Sequence, residues 1–167
     1  MTNAGQREGA DNAGVIAPPP LIGLATLVLG FLADWLFPMT ILRDALNWPA
    51  RIAIGAVLFV VGGIAVLAAK RAFGRAGTNV PPWEPTLALA TSGIYERVRN
   101  PMYVGAILML AGIAIGFASE WILMLLIPTA LILHYGVVLR EERYLEAKFG
   151  EDYRAYKARV PRYGLPR

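Results

Sequence analysis

Residues 102–139 read MYVGAILMLAGIAIGFASEWILMLLIPTALILHYGVVL and carry one charged side chain, that of Glu120. The polar pair Ser119-Glu120 divides the segment into two apolar runs, 102–119 and 121–139. At about 1.5 Å per residue, each run would extend roughly 27–28 Å as a helix. That length is close to the thickness of the hydrocarbon core of a bilayer. We therefore predict a tight hairpin of two membrane-spanning helices.

Two further apolar runs precede this hairpin. Residues 21–37 contain one acidic residue, Asp34, and residues 52–69 contain no charge. Of the 167 residues, 56% are hydrophobic and only 17% are charged, which is more apolar than an average soluble domain. Because backbone groups in lipid must be hydrogen-bonded internally, we expect helices. We predict an all-α integral membrane protein with four transmembrane helices, formed by a single domain at 18–167 after a disordered N-terminal tail at 1–17.

The basic residues indicate how the chain is oriented. With the N-terminus inside, alternating spans place 14 of the 16 Lys and Arg residues on the inner side and leave only Arg43 and Arg51 outside. This asymmetry predicts cytoplasmic N- and C-termini, in a bacterial inner membrane. We accordingly attribute the net charge of +4 to membrane orientation and expect no nucleic-acid partner. With no cysteine and one histidine, we also expect no metal site.

Two polar segments lie at the inner ends of the predicted hairpin. Asn100 and Pro101 are typical of a helix N-cap and first turn. Residues 140–163 have an amphipathic helical pattern that we expect to be broken near Gly150, and they begin with the carboxylates of Glu141 and Glu142. These features could belong to a capped membrane helix and an interfacial helix without chemistry. Because a hairpin makes its two inner ends neighbours, they could also form one site.

The same segments carry a family resemblance. The pattern SGIY…RNPMYVG at 92–105, followed by EExxLxxxFGxxYxxY and RVP within 141–161, resembles the isoprenylcysteine carboxyl methyltransferase family and the related phospholipid methyltransferases. The resemblance covers about residues 77–163. Asn100 stands where many members have His, and an amide does not titrate near neutral pH.

The resemblance implies an integral membrane methyltransferase that uses S-adenosylmethionine. It implies catalytic roles for Arg99 and Glu142, and a lipophilic or small methyl acceptor that arrives from the membrane lipids. His134, about two turns before Glu142, is a weaker candidate for lining the substrate cavity. The implied cofactor-binding residues are Tyr95, Asn100, Pro101, Tyr103, Gly105, Glu141, Tyr153 and Tyr156.

The sequence leaves several alternatives open. A carboxylate acceptor, as in isoprenylcysteine O-methylation, needs no general base, whereas an amine or thiol acceptor would make Glu142 a candidate base with a raised pKa. An NADPH-dependent membrane reductase and a non-catalytic small membrane protein are the competing classes of function.

Overall fold

The computed structural model describes residues 11–164, and this part of the chain contains helices and no strand, which confirms the all-α prediction. The α-helices are α1 (Pro19–Leu36), α2 (Ile41–Ala45), α3 (Trp48–Ala76), α4 (Pro101–Phe117), α5 (Glu120–Leu133) and α6 (Leu139–Arg159). A short 3-10 helix at Gly93–Glu96 precedes α4, and a π-helical turn at His134–Val138 lies between α5 and α6.

Three helices are long and apolar enough to cross a membrane: α1, α3 and the 40-residue helical segment Glu120–Arg159, which joins α5, the π-helical turn and α6 and is kinked at Gly150. The remaining predicted span, α4, is apolar but shorter, at 17 residues. The protein is therefore an integral membrane protein. The structure differs from the sequence expectation in two places: α3 extends well beyond 52–69, and the span at 121–139 continues into α6 without interruption.

Helices α3 and α4 pack through glycines. A Cβ atom added to Gly55 would lie 2.6 Å from the carbonyl oxygen of Gly112, and one added to Gly62 would lie 2.5 Å from that of Gly105. Backbone therefore meets backbone at two levels of this interface, as is common between membrane helices. Gly116 also contributes its backbone beside Gly55.

The hairpin of α4 and α5 closes over two residues. Ala118 adopts a left-handed conformation with φ 54°, and the Ser119 hydroxyl accepts a hydrogen bond from the Ile122 N–H at 3.1 Å, which caps α5. On its other side α5 contacts α1, where the buried hydroxyls of Thr26 and Thr129 are 2.6 Å apart. The inner ends of α4 and α5 consequently lie side by side.

The amphipathic C-terminal helix is interrupted at Gly150, as predicted, where φ is 53° and ψ is −122°. The N-terminal tail requires a correction. Residues 1–10 lie outside the described part, but residues 11–17 contact α6 and the loop before α4: the Ala13 N–H donates to the Pro82 carbonyl oxygen and Lys148 pairs with Asp11. Hydrogen bonds and an ion pair position the second half of the expected tail.

Candidate active site

The first element of the site is the start of α4. Asn100 occupies the N-cap position and Pro101 the first turn, as predicted, but the Asn100 side chain does not cap the helix. Its Nδ2 instead donates to the carbonyl oxygen of Arg162 at 3.3 Å, and the Arg99 N–H donates to that of Pro161 at 3.0 Å. These two bonds hold the chain after α6 against the start of α4.

Glu142 lies between two arginines. Its carboxylate is 2.8 Å from Arg99 Nη1 and accepts two hydrogen bonds from Arg162, from Nε at 2.9 Å and from Nη2 at 2.7 Å. The side chains of Glu142 and Arg99 are only 6% and 3% exposed. Burial alone would raise the pKa of Glu142, but the hydrogen bond from Arg162 and the charge of Arg99 hold that pKa below its usual value. Glu142 is thus a paired carboxylate that fixes the Arg99 guanidinium.

Glu141 is in a different environment, although it is the neighbouring residue. The Tyr103 hydroxyl donates to its Oε1 at 2.6 Å, and among residues 11–164 no cationic side chain forms an ion pair with it. Burial and the nearby charge of Glu142 raise the pKa of Glu141 to about 7, against the opposing effect of the Tyr103 hydrogen bond. This carboxyl group can therefore change its charge near neutral pH.

Three tyrosines form the wall opposite the two glutamates. The Tyr156 hydroxyl donates to the Tyr95 carbonyl oxygen at 2.8 Å, and Arg99 Nη1 donates to the Tyr153 hydroxyl at 3.5 Å. All three tyrosines are buried. Burial raises the pKa of Tyr153 to about 12 and raises those of Tyr95 and Tyr156 as well, so the phenols remain neutral at physiological pH.

These side chains surround a cavity between α4, α6 and the loop that precedes α4. The cavity encloses about 90 Å³. Eight of the ten residues singled out as catalytic or cofactor-binding line it: Tyr95, Arg99, Asn100, Tyr103, Glu141, Glu142, Tyr153 and Tyr156. Pro101 and Gly105 do not. Gly105 packs against α3, where an added Cβ atom would lie 2.6 Å from the Gly62 carbonyl oxygen, so we revise its expected role from cofactor binding to helix packing.

A second, mostly apolar groove of about 450 Å³ lies between α4 and α5. Tyr103 lines both this groove and the cavity, so the two spaces share a wall. His134 lies in the groove, and its Nδ1 is 2.7 Å from the hydroxyl of Tyr163. The other lining residues are Val104, Ile107, Leu108, Ala130, Leu131, Leu133 and Val138.

Sequence reasoning missed Arg162 and Tyr163. Both lie at the end of the amphipathic segment 140–163, and the motifs within that segment end at Pro161. A signal was available, since two adjacent carboxylates at the end of a membrane span are costly without a cationic partner. Arg99 supplies part of that charge, and Arg162 supplies the bidentate contact. Within residues 11–164, no cluster of side chains suited to a metal ion is present.

The fold and the cavity show the class of this protein: a helical membrane protein with a site at one end of a helical hairpin. Sequence comparison then gives its family. Residues 50–152 match the phospholipid methyltransferase family. This match spans more than half of the chain, and the protein belongs to that family of membrane methyltransferases.

A relative in Haemophilus influenzae is 34% identical over 62 residues, which is 37% of this chain and 98% of that protein. It is described as an uncharacterized protein, so it adds no activity. No solved structure matches the chain.

Proposed function

We propose that the protein transfers the methyl group of S-adenosylmethionine to a lipophilic acceptor at the inner face of the membrane. One observation supports this most directly: a cavity that contains buried charged side chains and an apolar groove meet at a single side chain, Tyr103. A methyltransferase acting on a lipid needs a polar site for the methyl donor beside an apolar site for the acceptor. The family supports methyl transfer, while the donor and the acceptor are our proposal.

The residues present fit this donor. Arg99 Nε is buried and has no hydrogen-bond partner among the described residues, which suits the carboxylate of an amino acid group. Glu141 has no cationic partner there and suits an ammonium or sulfonium group. The buried tyrosine rings offer faces for an adenine or a cation. When bound, S-adenosylmethionine would supply an electrophilic methyl group on its sulfonium.

The protein side chains then have distinct tasks. Arg162 and Glu142 hold the Arg99 guanidinium in one orientation, so that Arg99 can orient a carboxylate of the donor or of the acceptor. Glu142 is not suited to act as a general base, because its two arginine partners keep its pKa low. If the acceptor is an amine or a thiol, Glu141 is the carboxylate placed to take up its proton.

The groove indicates the physical class of the acceptor. Its walls are mainly aliphatic, which suits an acyl or isoprenoid chain, while His134 and Tyr163 provide a hydrogen-bonded polar pair. An isoprenylcysteine-like carboxylate, as the resemblance implies, and a lipid amine both meet this description.

The deciding experiment uses the purified full chain in detergent with methyl-labelled S-adenosylmethionine and fractionated lipid acceptors. We expect label in an apolar product that is absent when Arg99→Lys replaces the wild type. Parallel thermal shifts with S-adenosylhomocysteine and NADPH separate a methyltransferase from a reductase. Stabilisation by NADPH alone would contradict the proposal, as would stabilisation by neither ligand.

A further inference from the structure

The N-terminal strap, which we define as residues 11–17, contributes to the wall of the cavity. Ala13 lines the cavity, and its N–H donates to the carbonyl oxygen of Pro82, another lining residue, at 3.3 Å. The strap and the loop before α4 are thus joined at the cavity wall. The strap contributes no charged side chain to the cavity lining.

A polar contact holds one end of the strap. The Asp11 carboxylate accepts from Lys148 Nζ at 2.7 Å and from the Tyr144 hydroxyl at 2.8 Å. The same hydroxyl accepts from the Thr86 N–H at 3.1 Å, so one side chain of α6 binds both covering elements. These groups are partly exposed, and ion pairs in contact with water contribute little stability. This end of the strap can therefore detach at low cost.

The other end of the strap docks on the π-helical turn. The Ile16 N–H donates to the Gly136 carbonyl oxygen at 3.2 Å, and Arg140 Nη1 donates to that of Gly14 at 2.8 Å. A Cβ atom at position 136 would overlap the Ile16 side chain. Gly136 thus provides the space into which Ile16 fits, and the docking is specific.

The cavity is narrow and only partly enclosed. Its free volume is about 90 Å³, whereas pockets for molecules of drug size measure about 300–1,000 Å³. Movement of a covering element would widen it for a nucleoside-containing methyl donor. The helices that form the other walls are packed together, whereas the Asp11 end of the strap is held by polar contacts. The other end is also held by apolar packing of Val15, Ile16 and Ala17.

We propose that the N-terminal strap is a gate that detaches from Tyr144, Lys148 and Pro82 to admit the methyl donor and to release its demethylated product. This inference rests on the proposed function, because it takes the cavity to be the donor site. It assigns residues 11–17 to the control of ligand exchange and not to spanning the membrane.

The absence of cysteine from the chain allows a direct test. In an Ala13→Cys, Pro82→Cys variant, oxidation should join the strap to the loop. We expect radiolabelled S-adenosylhomocysteine to bind and dissociate at least tenfold more slowly when the variant is oxidised than when it is reduced. The wild type under the same oxidant and reductant is the control, and mass spectrometry reports whether the disulfide forms.

A second variant tests the gate in the opposite direction. Lys148→Gln removes the ion pair to Asp11 and should speed dissociation of S-adenosylhomocysteine about threefold or more. Arg154→Gln, which removes the exposed pair with Glu151 on the same helix, should leave the dissociation rate of S-adenosylhomocysteine unchanged. If S-adenosylhomocysteine binds and dissociates at equal rates in the oxidised and reduced cysteine variant, in Lys148→Gln and in the wild type, the gate alone is overturned. Failure of the wild type to bind S-adenosylhomocysteine would overturn both the gate and the proposed donor.

Discussion

Glu141 and Glu142 are adjacent in sequence, but their electrostatic environments are opposite. Glu142 is neutralised by two arginines, whereas Glu141 contacts only a phenol among the described residues. The sequence identified both carboxylates as candidates but favoured Glu142 for proton transfer. That preference could not be corrected from the sequence, because the position of Arg162 depends on how the chain turns after Pro161.

Replacing Glu142 tests the arginine cluster. We expect Glu142→Gln to lower methyl transfer at least about a hundredfold, or about 2.7 kcal/mol of transition-state stabilisation. The reason is that the charge that orients the Arg99 guanidinium is lost. Glu151→Gln on the same helix is the matched control, since Glu151 is exposed and pairs only with Arg154 among the described residues. Thermal unfolding in detergent separates loss of activity from loss of the fold, and near-normal turnover in folded Glu142→Gln would contradict the assigned role.

Replacing Arg99 by lysine tests geometry separately from charge. Lysine keeps the positive charge but lacks the planar guanidinium that can contact Glu142 through one nitrogen and a ligand through another. We expect Arg99→Lys to weaken the binding of S-adenosylhomocysteine about tenfold or more, measured by calorimetry. Arg97→Lys, two residues earlier and not in the cavity lining, serves as the control. Equal affinities for the Arg99 variant and the wild type would remove Arg99 from the binding site.

The raised pKa of Glu141 predicts a pH dependence. A carboxyl group with a pKa of about 7 is mostly protonated at pH 6 and mostly ionised at pH 8. Since only the ionised form attracts the ammonium group of the ligand, affinity should increase as the pH rises through about 7. We expect S-adenosylhomocysteine to bind up to about tenfold more tightly at pH 8 than at pH 6. In Glu141→Gln this dependence should disappear, and its persistence would show that another group titrates.

At the scale of elements, the apolar runs predicted the helices, and the polar pair at 119–120 predicted the hairpin. The sequence did not predict how closely α3 and α4 approach. The four-residue spacing of Gly112 and Gly116 is typical of packed membrane helices, but their partner Gly55 lies on a different helix and far away in the chain. Which glycines meet depends on the register between helices, and a single sequence does not contain that information directly.

Two neighbouring glycines of α3 provide a matched test of this interface. A Cβ atom on Gly62 would lie 2.5 Å from the Gly105 carbonyl oxygen, whereas one on Gly63 would have no other atom within 4 Å. We expect Gly62→Ala to lower the unfolding temperature in detergent by several degrees, because backbone must move to relieve the overlap. Gly63→Ala should leave it unchanged or raise it slightly, since alanine favours helix over glycine. Equal effects of the two substitutions on the unfolding temperature would mean that α3 and α4 do not pack closely at Gly62.

At the scale of the whole molecule, orientation follows from the distribution of charge. Fourteen basic residues on one side and two on the other predict that both termini are cytoplasmic. Reporter fusions after Asn3 and after Arg167 should therefore both give a cytoplasmic signal. A periplasmic signal from either fusion would contradict four alternating spans and would place the cavity on a different side from the one we propose.

The contacts of the N-terminal strap show where prediction from sequence ended. Residues 11–17 have neither hydrophobic periodicity nor a strong helical signal, so they were expected to be disordered. Their order comes from partners more than 60 residues away, Pro82 and Lys148 among them. Local sequence patterns cannot report such contacts.

The π-helical turn at His134–Val138 has a geometric consequence for the cavity. A π-helical turn accommodates one residue more than an α-helical turn, and each residue of an α-helix advances by about 100°. The side chains of α6 are therefore rotated by about this angle from the positions that an uninterrupted α-helix would give them. Deleting one residue from this turn would leave the hydroxyl contact of Thr129 with α1 in place while turning both glutamates away from Tyr103 and Arg99. The membrane-embedded half of the helix and the half that carries both glutamates are thus set in phase independently, by a one-residue insertion.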